Sequence, residues 1–376
     1  MSERKERQAN FELLRILAML MVVAMHFLSH TGGILPPAAG RMPEMREISG
    51  VLVESFCIVA VNVYVIISGY FLSEKSFSFR RLLRLLCQIL FYTLLIPPVL
   101  AAAGVLEFSE ISGIYHIWNC LFPVQSGHYW FVTAYVILVL FTPFLNAAVR
   151  VMSRGQLRVA LGVLLVLFCL GKSLSPLQFT PDRYGYDSGW FFCLYLTGAY
   201  LRRYKSTFFG KKGKSAALYV FSCLLTACVA LGSLWLCGKK GLLEYYATVP
   251  FHYNYILAYT GALGLTGLFA GIRIPPGRLS GRICRISGTT FGVYLIHEHA
   301  DISERWTGWI LGEASARPAV YLAQMAGSVL LVFVLAFAVD LLRDALFKWA
   351  KKGILRTASG RKLAEGLRRA DAYMEF

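Results

Sequence analysis

The feature that most constrains this chain is a series of apolar runs, each 17 to 25 residues long, that recurs along the whole sequence. About 20 apolar residues is the length an α-helix needs to cross the hydrocarbon core of a bilayer. Spanning strands would show alternation at period two, which is missing, so backbone polar groups in lipid have to be satisfied within helices. Of 376 residues, 57% are hydrophobic and 16% charged, and the mean hydropathy is +0.56. This is too apolar for an ordinary soluble domain and too long for one span. The expected fold is all-α, a polytopic membrane helix bundle with about ten transmembrane helices and both termini cytoplasmic. The spans are expected near 10–31, 51–73, 83–104, 128–149, 157–174, 189–204, 215–237, 249–270, 286–311 and 318–342. Residues 1–342 read as the membrane domain and 343–376 as a cytoplasmic basic tail, in which Ala345 to Arg356 has the pattern of an interfacial amphipathic helix.

The net charge of +17 raises the question of nucleic acid, and the location of the basic residues decides it. In the ten-span arrangement 29 of the 38 Lys and Arg fall in cytoplasmic segments, 8 fall outside and one, Arg15, lies within a span. That asymmetry follows the positive-inside rule, so no nucleic-acid partner is expected; the lipid bilayer is one. The basic first residues precede an apolar run without a small-residue cleavage site, which reads as a retained first span. Nine cysteines are scattered without C-x-x-C spacing and signal neither a disulfide framework nor zinc. The outer loops 32–50, 105–127 and 175–188 are the longer ones, of the kind that cover a site.

Within this apolar background the first run, Asn10 to His30, carries charge. Arg15 and His26 are eleven residues apart, which returns a helix to within roughly 20° of the same azimuth and separates them by about 16 Å. Glu12 lies one turn before Arg15 and His30 one turn beyond His26, so a polar seam runs along one face. Ionisable residues in a span face protein or water and mark functional paths. Histidine titrates near neutral pH, which makes His26 a candidate general base.

A second constellation is His297-Glu298-His299 in the ninth run. Consecutive helical residues point about 100° apart, so at most two of the three address one cavity, where a carboxylate is placed to orient His26 or another base. Their spacing differs from H-E-x-x-H, and no metal site is assigned. Ser68-Gly69-Tyr70-Phe71-Leu72 ends the second run with a glycine suited either to close helix packing or to a ligand. His128-Tyr129-Trp130-Phe131 opens the fourth, as an interfacial aromatic belt or a carbohydrate-stacking surface. Arg80, Arg81 and Arg84 follow as a basic cluster that serves topology or phosphate binding.

Taken in order, Arg15 with His26 eleven residues on, SGYFL at 68–72, Arg80-Arg81, the Trp130-Phe131 span ending at Pro143 and GVYLIH at 292–297 resemble acyltransferase family 3, over nearly the whole chain. The resemblance implies a ten-helix bundle that moves an acyl group, commonly acetyl, from a cytosolic acyl-CoA to a hydroxyl of an exported or membrane-linked carbohydrate. Its arginine and histidine correspond to Arg15 and His26. Glu12 departs from the family pattern, which often has Asp there. No appended hydrolase-like domain is evident, so acceptor specificity is expected from the outer loops.

The expected reaction is thus O-acyl transfer at a multi-pass cell-membrane protein, with acyl-CoA as donor substrate and no tightly bound cofactor. Catalytic candidates are His26, His297 and Glu298. Substrate-binding candidates are Arg15, Glu12, Ser68, Tyr70, Trp130 and, for the CoA phosphates, Arg80, Arg81 and Arg84. Because Arg15 lies in the cytoplasmic half of its helix and His26 in the outer half, Arg15 is assigned to the donor and His26 to the acceptor hydroxyl. A transporter of a small solute or polysaccharide is the competing class, since buried Arg and His seams also line translocation paths; no internal repeat supports it.

Overall fold

A long apolar chain whose interior side chains are large and aromatic folds here entirely into helices: 78% of it is helical, with no strand among the described residues. The computed structural model describes residues 7–177, 182–204 and 209–374. Arg4, Lys5 and Lys205 of the basic count, and Pro181 of the outer loop, lie outside them.

The first helices are α1 (Ala9–His30), α2 (Met45–Cys57), α3 (Ala60–Leu72) and α4 (Phe79–Ala102). Short α5 (Phe108–Ile111) and α6 (Ile114–Leu121) occupy what reads in the sequence as an outer loop, and α7 (Trp130–Val151) follows. Next come α8 (Arg154–Leu165) and α9 (Gly171–Leu174), joined by a π-helical turn, then α10 (Ser188–Tyr204), α11 (Lys212–Lys240), α12 (Glu244–Thr248) and α13 (Ile256–Ala270). The chain ends with α14 (Arg278–Ser287), α15 (Thr290–His297), α16 (Ala300–Ser303), α17 (Trp306–Leu311), α18 (Pro318–Arg356) and α19 (Ala358–Tyr373).

Seven helices among the described residues are long and apolar enough to cross a membrane, counting α2–α3 and α8–α9 as one each. The other three expected spans fall short of that length as single helices. The sixth expected span is α10, only 17 residues long and largely buried among other helices. The eighth becomes α-helical only at Ile256, because Pro250 sits in a 3₁₀ turn before it. The ninth is four short helices rather than one. The expected helix over Ala345 to Arg356 is the end of α18. No helix break occurs at 342; α18 runs through to Arg356, with Arg343 paired to Asp340 of the same helix at 2.8 Å, and Thr357 caps α19 through its hydroxyl.

Helix α1 is the hub, packed against α2, α3, α13, α14, α15 and α18. The segments carrying most of the basic residues gather at one end of the bundle, where Arg202 pairs with Glu74 at 2.7 Å and Arg80 pairs with Asp371 of α19. At the other end Arg305 meets Glu110 and Lys172 meets Asp182.

Close helix approach depends on two glycines facing each other across α3 and α10. A Cβ on Gly69 would lie 2.0 Å from the Tyr195 carbonyl oxygen, and one on Gly198 would lie 2.2 Å from that of Ile66. Backbone meets backbone here, so of the two roles open to Gly69 the structure supplies the packing one. Gly198→Ala is expected to lower the thermal midpoint of the detergent-purified protein by several degrees, since overpacking costs about 1–3 kcal/mol. Gly232→Ala in α11, where nothing lies within 4 Å, should leave the midpoint unchanged or raise it. Equal effects from the two would refute the packing account.

Candidate active site

The stripe on α1 becomes one wall of a cavity. Glu12, Arg15, Met19, Val22 and His26, spaced by three and four residues, all line a hollow of about 310 Å³. The opposite walls are Tyr64 and Ser68 of α3, Trp130, Phe131 and Tyr135 of α7, Tyr253, and the run from Ser287 to Tyr294 across α14 and α15. The hollow reaches from the basic end of the bundle past Arg15 to His26.

At the basic end Glu12 is buried and holds two partners: Arg15 Nη1 donates to its Oε1 at 2.8 Å and Ser287 Oγ donates to its Oε2 at 2.5 Å. The Tyr64 hydroxyl donates to the Arg15 carbonyl at 2.5 Å. Arg15 is thus fixed by one charge and remains partly exposed to the cavity. Stripping Glu12 from this buried pair would leave an uncompensated charge, the costly outcome for such groups.

Deeper in the cavity, His26 of α1 meets the end of α15. Its Nδ1 lies 3.0 Å from His297 Nε2 and 3.0 Å from Glu298 Oε1. His297 Nδ1 lies 2.7 Å from the Val293 carbonyl oxygen, which can only accept, so the His297 proton is assigned to Nδ1 and Nε2 is left as an acceptor. His26 therefore donates through Nδ1 and keeps the lone pair on Nε2. Glu298 Oε1 has no hydrogen bond of good geometry and acts on His26 as a charge.

Helix α15 reaches this point because Gly292 lets it lie against α18, where any Cβ would sit 2.2 Å from Asp340 Oδ1. Asp340 is itself held by Gln88, Tyr92 and Arg343. Tyr129, just before α7, donates to the Leu295 carbonyl at 2.8 Å and pins the other side. The helix stops at His297, and Glu298 is its C-cap. That break releases Glu298 from helical spacing, so His297 and Glu298 both reach His26. His299 does not: it caps α16 and packs against His128, ring centroids 4.6 Å apart.

A family model described as an acyltransferase domain matches residues 8–353. The chain belongs to acyltransferase family 3. No curated protein and no solved structure matches it. It is a membrane protein of acyl transfer, and the expected family membership stands.

In this acyltransferase the other sequence-predicted residues divide. Ser68 lines the cavity, donating to the Tyr64 carbonyl at 2.9 Å, and Trp130 stacks on Tyr253 with centroids 5.3 Å apart in its wall. Tyr70 does not line it; it stacks on Phe11, with the Arg202 guanidinium over its ring. The three arginines meant for CoA phosphates also sit elsewhere. Arg80 is engaged by Asp371, and Arg81 donates to the Ser76 carbonyl in a neighbouring 180 Å³ cleft that shares Leu85 and Tyr135 with the cavity. Arg84 is exposed and lines neither hollow. Burial alone would raise the Asp371 carboxyl, but hydrogen bonds from Arg80 and Ser78 outweigh it and hold the group below the usual carboxylate range.

Residues missed from the sequence are Arg7, Tyr64, Tyr253, Ser287 and Tyr294. Only Tyr294 had a signal, one turn before His297 on the same face. Its hydroxyl is buried without a hydrogen-bond partner.

By distance, one atom each of His26, His297 and Glu298, all within 4.8 Å of one another, could hold a metal ion. The 3.0 Å separation of the two imidazole nitrogens suits a hydrogen bond better than two ligands on a tetrahedral ion, which stand roughly 3.4 Å apart. Purified protein dialysed against a strong chelator is expected to keep its full transfer rate. Loss of activity restored by added zinc would reassign the three residues to a metal.

Proposed function

We propose that this acyltransferase moves an acyl group, acetyl in the simplest case, from cytosolic acyl-CoA to a carbohydrate hydroxyl presented on the outer side of the cell membrane. The observation that carries the reading is one cavity holding a charge-fixed arginine near its basic end and, about 16 Å further along the same helix face, a histidine whose second nitrogen is engaged. The basic end is taken as cytosolic by the positive-inside rule.

In this mechanism Arg15 binds the donor through a phosphate or amide oxygen of its arm, as guanidinium groups do well. His26 Nε2 takes the proton of the acceptor hydroxyl while that oxygen attacks the thioester carbonyl. The new C–O bond forms, the C–S bond breaks, and the CoA thiolate recovers the proton from His26 on leaving. Glu298 stabilises the imidazolium between these steps, and His297 holds the ring orientation. Trp130 and Tyr253 offer a stacked aromatic surface suited to a sugar ring.

His26→Ala is expected to lower kcat for transfer of labelled acetyl from acetyl-CoA by about 10²–10⁴-fold, the usual contribution of a positioned base. Wild-type turnover in that variant would sink the assignment. Arg15→Ala is expected instead to weaken donor affinity, and an unchanged Kd for CoA measured by calorimetry would count against its role.

A further inference from the structure

A second hollow of about 1080 Å³ opens at the basic end of the bundle, between the start of α1 and the loop that joins α13 to α14. Arg7 lines both hollows, so the two meet at its side chain. Building on the acyl-CoA reading above, we propose that this groove is the nucleotide site of the donor, with Arg7 and Arg273 holding the phosphates of its phosphorylated ADP head.

Shape separates the two compartments. The inner cavity is small, with Met19, Val22, Val61 and Phe291 in its walls, and takes a chain rather than a heterocycle with three phosphates. The groove has more than three times that volume. Ile274, Pro275 and Pro276 give it an apolar rim for a purine, while Arg7 and Arg273 supply the cations. Its walls are fixed relative to each other: Asn10 Nδ2 donates to the Phe269 carbonyl at 2.9 Å, Arg7 Nη1 donates to that of Cys284 at 3.4 Å, and two consecutive prolines restrict the loop.

Charge agrees with shape. From Gly271 to His297 the chain holds four arginines and no acid, so nothing along that wall repels a polyanion. Helix rise then sets the reach. A diphosphate at the groove mouth leaves the pantetheine arm to run beside Arg15, and the roughly 16 Å from there to His26 is on the scale of that arm extended. The assignment also replaces Arg80, Arg81 and Arg84, none of which lines the cavity.

The test compares two donors, acetyl-CoA and S-acetylpantetheine, the second lacking the nucleotide. In the Arg7→Ala/Arg273→Ala protein, KM for acetyl-CoA is expected to rise tenfold or more with kcat within about twofold, since each arginine-to-phosphate contact is charge-assisted. The KM for S-acetylpantetheine is expected to change far less, so the wild-type preference for the CoA donor collapses. Adenosine 3′,5′-bisphosphate should inhibit the wild type competitively and the variant weakly. An unchanged acetyl-CoA KM in the variant, or equal losses with both donors, would overturn the site while leaving the acyl-CoA reading intact. Wild-type protein that neither binds CoA by calorimetry nor releases it from acetyl-CoA would overturn that reading and this site with it.

Discussion

The structure turns on the contact between His26 and His297, 3.0 Å apart and 271 residues apart in sequence. Nothing local produces it. Helix α1 presents His26 at the end of a stripe, and α15 has to be brought to it from the far end of the chain. Three features do so: Gly292 lets α15 lie on Asp340, Tyr129 grips its carbonyl at Leu295, and the helix stops at His297. Each removes a degree of freedom, and together they hold the imidazole pair in one arrangement, which preorganised chemistry requires.

A bilayer makes such an arrangement expensive, and the remaining polar groups show how the cost is contained. Glu12 is shared between Arg15 and Ser287. Asp340 is shared among Gln88, Tyr92 and Arg343. Asn62 accepts from the Trp190 indole N–H through Oδ1 and donates through Nδ2 to the Tyr253 carbonyl, tying the aromatic wall of the cavity to α3. Each node links helices distant in sequence, so the polar groups that must be buried for chemistry also fix the packing of the bundle.

Much of this was legible in the sequence, and the limits follow from range. The α1 stripe was readable because a 3.6-residue period fixes which side chains share a face, and the cavity lining repeats it from Glu12 to His26. The all-helical fold was readable from run length. The ninth span was not, since a hydrophobic run says nothing about a helix that stops at His297 and restarts at Ala300. Arg80, Arg81 and Arg84 show a different limit. Counting cations assigns a side of the membrane, but only tertiary packing gave Arg80 to Asp371 and placed Arg7 at the cavity. Gly69 needed its neighbour: close packing and ligand approach ask for the same residue, and Tyr195 decided between them.

Between the two functional ends of the α1 stripe lie Met19 and Val22, and this apolar interval has a consequence for the proposed chemistry. In the proposed reaction a thioester passing Arg15 toward His26 would cross this apolar face, with Val61 and Phe291 also in the wall and the unpartnered Tyr294 hydroxyl beside them. A general base poised beside a thioester activates water as readily as a sugar hydroxyl, so an enzyme of this kind has to keep water from the carbonyl until the acceptor arrives. Here Met19, Val22, Val61 and Phe291 make part of the passage wall apolar. In the proposed mechanism the acceptor would complete the site by filling the space in front of Trp130 and Tyr253, bringing its hydroxyl to the lone pair on His26 Nε2. On that proposal the separation of Arg15 from His26 along one helix would serve reach, and the apolar face between them selectivity for transfer over hydrolysis.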